Sequence, residues 1–377
     1  MITVGFLGSV IVTPLYALYQ RKFGFSEITL TLVYAVYVVG NVAALLLFGQ
    51  VSDQVGRKRV GLPALALAAV SALVFLFAQS TAWLYAGRLL IGLAVGILSG
   101  TGTAWVAEQF RPGERPRATL TAATANLVGI ALGPLIGGLL AQYAPRPLAL
   151  PFLVYLGLLA VVAVAVVRTE DVRELSLATS LRRLRVRPRL GVPREQLSAF
   201  TPPAVAGFVT FALGGLYFAL IPTIVIKDLH DGNVAVGGLL VFELGAVASV
   251  IIVLGRHLRP ATAMTVGLLS LLPGVALVVV AESARSLPLL AVAAALAGVV
   301  LALGYRGSLQ VVNDIAPDER RAEVVSSYYV ACFVGNSVPV IGIGVLTTVT
   351  DEFVATVTFA GVIGGLSLAA LASRVRA

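Results

Sequence analysis

The chain has 377 residues, of which 58% are hydrophobic and only 12% carry a charged side chain. Ordinary soluble domains are about 25% charged, so this composition excludes a water-soluble globular protein. A formal net charge of +9 would suggest a nucleic-acid partner in a soluble chain. In a membrane chain such an excess reflects topology, and no nucleic-acid partner is expected.

Twelve apolar runs follow one another along the chain. Each is about as long as the roughly 20 residues that an α-helix needs to cross the hydrocarbon core. The runs should be helices, because lipid offers backbone groups no hydrogen-bond partner and the alternation typical of a membrane barrel is missing. In chain order, they cover residues 2–19, 28–48, 61–78, 83–105, 119–140, 148–167, 203–226, 234–254, 261–281, 287–308, 324–349 and 353–371.

The first run is interpreted as a membrane span. A signal peptide is the alternative, but no basic residue precedes this run, it contains Pro14, and no small-residue cleavage site follows before Gln20. The fold class predicted here is therefore an all-α membrane protein with twelve transmembrane helices.

Lysine and arginine are unevenly distributed over the loops. When loops are assigned alternately to two sides, 20 of the 27 basic residues fall on one side and five on the other. Cytoplasmic loops carry such an excess. We therefore predict a multi-pass protein of the cell (inner) membrane with both termini in the cytoplasm. The remaining two arginines, Arg88 and Arg306, lie inside runs, and Arg306 is expected to extend to the cytoplasmic interface.

The chain divides into two related halves. Its longest polar stretch, residues 168–199, carries eight arginines and predicts a basic cytoplasmic linker between six-helix halves at 1–167 and 200–377. A shift of 205 residues superposes two separate features of the halves, which indicates internal duplication. The coincident residues are Pro112, Glu114 and Arg115 with Pro317, Glu319 and Arg320, and Pro134, Ile136 and Gly137 with Pro339, Ile341 and Gly342.

The loop between the second and third runs carries the most specific motif. It resembles the G-x-x-x-D-(R/K)-x-G-R-(R/K) signature of the major facilitator superfamily, and departs from it at Gln54. The matching residues are Gly49, Asp53, Gly56, Arg57 and Lys58. The resemblance implies two pseudo-symmetric six-helix bundles that transport by alternating access.

The same resemblance implies a gate on the inner side. Asp53 would meet the backbone N–H groups at the start of the eleventh span, and Arg57 would pair with Glu108 at the end of the fourth. These contacts would hold the inner side closed while the cavity opens outward. The alternative interpretation is a tight basic turn that only fixes topology.

The fourth run carries an arginine at membrane depth. Arg88, preceded by Gly87 and followed by Gly92, Gly96 and Gly100, resembles the second motif of the family. A cation at this depth is costly, so Arg88 should face the protein interior and have a partner or a function in proton coupling. The alternative is extension of its side chain to the outer interface.

The fifth run resembles the G-x-x-x-G-P-x-x-G-G signature of the antiporters in the superfamily, especially drug/proton exporters. The matching residues are Gly129, Gly133, Pro134, Gly137 and Gly138. Proline bends a helix and glycines permit close packing. The resemblance favours antiport over uptake, although Gly-Pro kinks also occur in membrane helices generally.

Polar groups inside the runs are few. Glu243 lies about ten residues into the eighth run and is the first candidate for proton coupling, with Arg88 as the alternative. The alternative for Glu243 is a permanently protonated acid between helices. The candidates for lining the cavity are Tyr16, Tyr34, Asn41, Asn126, Tyr217 and Asn336.

These features predict a monomeric secondary transporter that exchanges protons for small lipophilic or amphipathic compounds and exports them across the lipid bilayer. An importer of a small metabolite and a non-transporting receptor are the alternatives. The chain has two histidines, one cysteine and no nucleotide-binding glycine loop, so we predict no enzymatic activity, no cofactor and no metal site.

Overall fold

The computed structural model describes residues 1–48, 51–111, 114–169, 190–227, 229 and 232–375. These residues form α-helices and short 3₁₀ or π segments, and no strand is found among them. The α-helices are Ile2–Val10, Tyr16–Phe23, Glu27–Phe48, Val51–Val55, Arg57–Leu76, Thr81–Glu108, Arg115–Tyr143, Leu150–Arg168, Leu197–Ala219, Ile221–Lys227, Val234–Leu254, Pro260–Ser283, Leu287–Val299, Tyr305–Ile315, Arg321–Leu346 and Glu352–Val375.

Twelve helical segments of the described chain are long and apolar enough to cross a membrane, which confirms the twelve predicted spans. The bounds differ by several residues at the seventh span, where the helix begins at Leu197, ahead of the predicted residue 203, and at the tenth, which ends at Ile315, beyond the predicted residue 308. Hydropathy detects only the part of a helix that lies in hydrocarbon, and helices can extend beyond that part.

The first and tenth spans depart from regular α-helix within their length. The first changes to a 3₁₀ turn at Thr13–Leu15, where Pro14 cannot donate a backbone hydrogen bond. The tenth contains a π-helical segment, Val300–Gly304, between two α-helical parts. Short π segments inside helices often mark functional sites, because they shift the faces of the two flanking parts relative to each other.

The chain forms two compact units. Unit 1 consists of Met1–Leu15 and Val36–Pro188, and unit 2 of Tyr16–Ala35 and Arg189–Ala377. The segment Tyr16–Ala35 belongs to the first six spans by sequence and packs in unit 2. The division into halves at 167 and 200 stays a prediction, and most of the predicted linker, residues 170–189, lies outside the described residues.

Candidate functional site

The loop between the second and third spans is tied to two other spans of unit 1. Gly56 has a φ of 109°, which favours glycine, and it turns the chain into the helix that begins at Arg57. The Arg57 guanidinium pairs with Glu108 at 2.9 Å and donates to the Ser52 hydroxyl at 2.7 Å. Lys58 donates to a backbone carbonyl at the end of the sixth span.

We call Ser52, Arg57, Lys58 and Glu108 the motif cluster. The side chains of Arg57 and Glu108 are only 10% and 19% exposed, so their pairing is shielded from solvent. The structure thus contains the pair of Arg57 and Glu108, and the gating role of that pair stays a prediction. Gly49 lies outside the described residues, as does the side chain of Asp53.

The equivalent loop of unit 2 is held by a different contact. Arg306 of the tenth span donates to the backbone carbonyls of Gly255 and Arg256, the second at 2.7 Å. Gly255 follows the last residue of the eighth-span helix, where carbonyl groups lack helical partners. Arg306 therefore caps a neighbouring helix end, a role that sequence reasoning did not indicate.

Arg88 lies in a polar pocket between the first, second and fourth spans. Only 1% of the residue is exposed, and its guanidinium donates to the Ser9 carbonyl. It also lies 5.7 Å from the ring centroid of Tyr37, whose hydroxyl accepts from the Asn41 amide at 3.1 Å. The protein encloses the guanidinium, so the Arg88 side chain does not extend to the outer interface.

The fifth-span motif forms a glycine face against the first span. A Cβ atom on any of three motif glycines would overlap a backbone carbonyl of that span. The overlaps are Gly129 with Thr3, Gly133 with Leu7, and Gly137 with Ile11. Glycines at positions i, i+4 and i+8 let two helix backbones approach closely. Gly342, which the 205-residue shift places on Gly137, has open space where its Cβ would be.

Two nominated residues of unit 2 lie close together. Glu243 on the eighth span is half-buried and close enough to Tyr217 on the seventh to act on it electrostatically. The Tyr217 hydroxyl is buried and has no hydrogen-bond partner among the described residues. The two groups therefore lie within electrostatic range of each other inside the helix bundle.

Glu282 is an acidic residue that sequence reasoning missed. It is 6% exposed, and neither carboxyl oxygen has a hydrogen-bond partner among the described residues. The Thr356 hydroxyl lies beside it but donates to the carbonyl of Glu352. No sequence signal pointed to Glu282, because it stands one residue from the end of its helix, where exposure is the ordinary expectation.

Three helix ends meet at a second ion-pair network in unit 2, which we call the lysine cluster. Lys227 ends one helix and pairs with Glu27 and Glu352, each of which begins another. Each charge is favourable to the dipole of its own helix. Burial lowers the pKa of Lys227, but hydrogen bonds and charges from the two glutamates outweigh it, so the pKa is raised above the ordinary value.

The nominated cavity residues are mostly packed in this structure. Tyr34 and Asn336 are buried and bond to each other, the amide donating to the hydroxyl at 2.9 Å. Asn126 has a buried amide oxygen without a hydrogen-bond partner among the described residues. The buried members of the nominated set are Tyr16, Tyr34, Asn41, Tyr217 and Asn336.

No group of histidine, cysteine, aspartate or glutamate within the described residues could hold a metal ion. The single cysteine, Cys332, is buried.

Comparisons with known proteins give a family and a fold. The family model of the Major Facilitator Superfamily matches residues 1–340. The uncharacterized MFS-type transporter EfpA of Mycobacterium tuberculosis is 32% identical over 128 residues, which are 34% of this chain and 24% of that protein. Multidrug resistance protein MdtL of Escherichia coli is 39% identical over 71 residues, 19% of this chain and 18% of that protein. The matches thus span about a quarter or less of these relatives.

Two solved structures cover nearly the whole chain. The nucleoside transporter NupG, in a mutant form, has a TM-score of 0.73 at 14% identity and covers 98% of both chains. An inward-facing, occupied bacterial homologue of the human lysosomal transporter Spinster has a TM-score of 0.75 at 15% identity, covering 98% of this chain and 94% of that chain. At such low identity, these similarities concern the fold alone.

Proposed function

The chain belongs to the major facilitator superfamily, and we propose that this transporter is a proton-coupled antiporter that exports small lipophilic or amphipathic compounds. The observation that carries the antiport assignment is the fifth-span glycine face. All five positions of the antiporter-type signature match, and three of its glycines lie against carbonyls of the first span. Such close contact brings the two helix backbones together, and Pro134 bends the fifth span at the same place.

The export of drug-like compounds is supported by the matched relatives and by the composition of the spans. One relative is named a multidrug resistance protein, although the match covers 18% of it. Few polar side chains are available inside the spans for recognising a sugar or another highly polar solute. An apolar or amphipathic cargo fits this scarcity better.

Gating is assigned to two ion-pair networks. The motif cluster would hold the cytoplasmic side closed, and the lysine cluster would do the same on the opposite side. Alternating access requires that each side opens only while the other is closed. Ion pairs of this kind suit the task because the cost of desolvating the two charges offsets much of their attraction, so the pair can separate when water enters.

Proton coupling is assigned to Glu243 with Tyr217 beside it. A half-buried carboxyl group changes its proton affinity when water access changes, so it can load a proton on one side of the membrane and release it on the other. The Tyr217 hydroxyl can donate to the ionised carboxylate in one state and lose that contact in another. Arg88 is the alternative carrier of the linkage.

We further propose residence in the cell (inner) membrane with both termini in the cytoplasm, halves at 1–167 and 200–377 joined by the linker at 168–199, and a monomeric functional unit. The excess of lysine and arginine in the loops on one side supports this orientation.

The deciding experiment is reconstitution in liposomes under an imposed proton gradient. We expect ethidium to move against its own gradient when protons flow the opposite way, and internal pH to change together with ethidium transport. Glu243→Gln should retain downhill ethidium movement while losing the accompanying proton flux. Asp351→Asn, an exposed acid outside the coupling pair, serves as the matched control.

Three outcomes would contradict the proposal. Uptake of a small metabolite in the direction of proton flow would indicate an importer. Binding without transport of any compound would indicate a receptor. Proton-coupled ethidium transport with an unchanged pH profile in Glu243→Gln would exclude Glu243 as the coupling group.

A further inference from the structure

Two helix ends of unit 2 meet at Glu282. This residue lies one position from the end of the ninth-span helix, Pro260–Ser283, and its carboxyl group is close to the start of the twelfth, Glu352–Val375. Glu352 belongs to the lysine cluster, where its carboxylate pairs with Lys227 at 3.3 Å. The surroundings of Glu282 are therefore continuous with an ion-pair network of the same unit.

The Glu282 carboxyl group is buried without a hydrogen-bond donor. The residue is 6% exposed, and neither carboxyl oxygen accepts a hydrogen bond from the described residues. An ionised carboxylate can only accept hydrogen bonds, and it loses most of its hydration on burial, so leaving it without a donor is costly. Burial at this position therefore favours the neutral, protonated acid.

The hydroxyl group nearest to this carboxyl favours the same form. Thr356 is 3% exposed, and it donates its hydroxyl hydrogen to the Glu352 carbonyl at 3.2 Å. The hydroxyl oxygen keeps its lone pairs, so towards Glu282 it can accept a hydrogen bond while its only hydrogen is used elsewhere. A protonated carboxyl group has a hydrogen to offer to that oxygen, whereas a carboxylate has none.

The charged groups around Glu282 also oppose its ionisation. Asp351 and Glu352, at the start of the twelfth span, act on it electrostatically, and both are acidic. The tenth span carries no charged residue before Arg306, and Arg285 in the intervening loop is exposed. Like charges disfavour the ionised form of each other. An ionised Glu282 would therefore repel the start of the twelfth span.

A small cavity connects this region with the lysine cluster. Its lining includes Glu27, Thr223, Glu352 and Thr356, and its volume of about 20 Å³ exceeds the roughly 10–15 Å³ that one water molecule needs. Thr223 is 2% exposed, and its hydroxyl has no hydrogen-bond partner among the described residues. A buried hydroxyl beside two carboxylates provides the polar partners that a water molecule requires. Because Thr356 borders both the cavity and Glu282, the cavity gives water a route to the carboxyl group.

We propose that Glu282 is a second proton-binding residue, separate from Glu243, and that its protonation keeps the start of the twelfth span and the lysine cluster in place. The role assigned to Glu282 rests on the gating function proposed for the lysine cluster. When the carboxyl O–H bond breaks, water entering the cavity accepts the proton, and the new carboxylate repels Asp351 and Glu352. Separation of the two helix ends relieves this repulsion, so proton release favours opening of the lysine cluster.

The first test is thermal denaturation of the purified full chain in detergent between about pH 5 and pH 8. The packed arrangement binds the proton more tightly than the unfolded chain, so its stability is highest in acid and falls as pH rises. Glu282→Gln resembles the protonated acid in shape and charge. Its melting temperature should therefore fall less over this range than that of the unaltered chain, by at least about 2 °C. Glu195→Gln, the same change at an exposed acid of unit 2, should behave as the unaltered chain does.

The second test measures opening of the cavity by thiol labelling. In a chain that carries Cys332→Ala, the substitution Thr223→Cys places the single thiol in the cavity. At about pH 8, a water-soluble maleimide should label this thiol at least about fivefold more slowly when Glu282→Gln is also present. At about pH 5, the two rates should be equal. Because both proteins are compared at the same pH with the same thiol, the effect of pH on thiol ionisation cancels.

Two outcomes would overturn the proposal. One is an equal pH dependence of melting in the unaltered chain and Glu282→Gln, and the other is an equal labelling rate of the two proteins at about pH 8. Glu282→Met, which is neutral and of similar length, replaces the glutamine variant if that variant does not fold.

The proposal and the proposed function fail in different measurements. Melting and labelling need neither a cargo nor a proton gradient, and both should respond to Glu282→Gln in the same way when Glu243→Gln is present. A response in both measurements without proton-driven ethidium transport in liposomes would support the Glu282 site and contradict the antiporter assignment. Proton-driven transport with no response to Glu282→Gln in melting or labelling would support the antiporter and overturn the Glu282 site.

Discussion

The loop that joins the second to the third span and the loop that joins the eighth to the ninth can be compared, because the proposed division into halves assigns them equivalent places. In unit 1, the loop supplies a cation, Arg57, to the Glu108 carboxylate at the end of the fourth span. In unit 2, the tenth span supplies the cation, Arg306, to backbone carbonyls at Gly255 and Arg256. In both units an arginine connects the loop to a span. The loop carries this arginine in unit 1, whereas the span carries it in unit 2.

We call the Arg57–Glu108 pair the first tie and the Arg306 contact with the loop carbonyls the second tie. Because their partners differ, the two ties should respond differently to conformational change. An arginine–carboxylate pair has two side chains that can separate and become hydrated, so its strength depends on water access. An arginine bound to carbonyls at a helix end acts on the helix itself and stabilises one local structure. We therefore expect the first tie to control transport and the second to control stability.

Breaking the first tie should have the strongest consequence. Arg57→Ala or Glu108→Ala leaves one partly buried charge without its partner, which costs about 3 kcal/mol, the lower end of the range for buried pairs. Most transport should be lost in both variants. Thermal denaturation and ethidium transport in liposomes measure the two effects, and the double variant should be less impaired than the sum of the single ones.

An exposed pair nearby provides the control. Arg117 and Glu114 form an ion pair at 2.8 Å, but the Arg117 side chain is 76% exposed. Pairs of this kind contribute about 0.3–0.5 kcal/mol. Arg117→Ala should therefore leave transport nearly unchanged, and a loss equal to that of Arg57→Ala would show that any charge removed on this side has the same effect.

The second prediction compares two glycines that a shift of 205 residues superposes. Gly137→Ala should destabilise the protein by about 1–3 kcal/mol, because the added methyl group overlaps the Ile11 carbonyl. Gly342→Ala meets open space and should stabilise its helix by about 0.5–1 kcal/mol. The melting temperatures of the two variants in detergent test this prediction. Shifts of the same sign in Gly137→Ala and Gly342→Ala would contradict it.

The third prediction concerns the second tie. Arg306→Ala removes two charge-assisted hydrogen bonds to carbonyls and should lower stability by roughly 1.5 kcal/mol. Transport per folded molecule should change little, in contrast to Arg57→Ala. Arg306→Lys should recover part of the stability, since one ammonium group cannot reach both carbonyls as the planar guanidinium does. Loss of transport with an unchanged melting temperature would reverse the roles assigned to the two loops.

The lysine cluster should give the smallest change in folding stability. The pKa of Lys227 is raised in the folded protein, so its contribution to stability is complete below its ordinary value of 10.5 and is lost as pH rises through the raised value. The side chain is 43% exposed, which keeps this contribution small. Lys227→Met should reduce the loss of stability above pH 10.5. Identical alkaline denaturation of the unaltered chain and the variant would contradict this prediction.

The twelve spans could be predicted without any structure, because the free energy of transferring side chains into hydrocarbon depends on composition and length. Contacts that follow from the position of residues at helix ends or from helical spacing could also be predicted from the sequence. The Arg57–Glu108 pair joins two loop-proximal residues of a family motif, and the Gly129, Gly133 and Gly137 face repeats every four residues. The loop motif indicated the family as well, in agreement with the family match over residues 1–340.

Contacts between residues far apart in the chain became visible only in the folded protein. Tyr34 bonds to Asn336 across 302 positions, Lys227 pairs with Glu27 across 200, and Glu282 is buried although it stands near a helix end. The π-helical segment Val300–Gly304 of the tenth span is likewise a feature of the folded chain. The rotation of each helix and the helices it packs against depend on how well many similar apolar surfaces fit together. No local pattern in the sequence determines that fit.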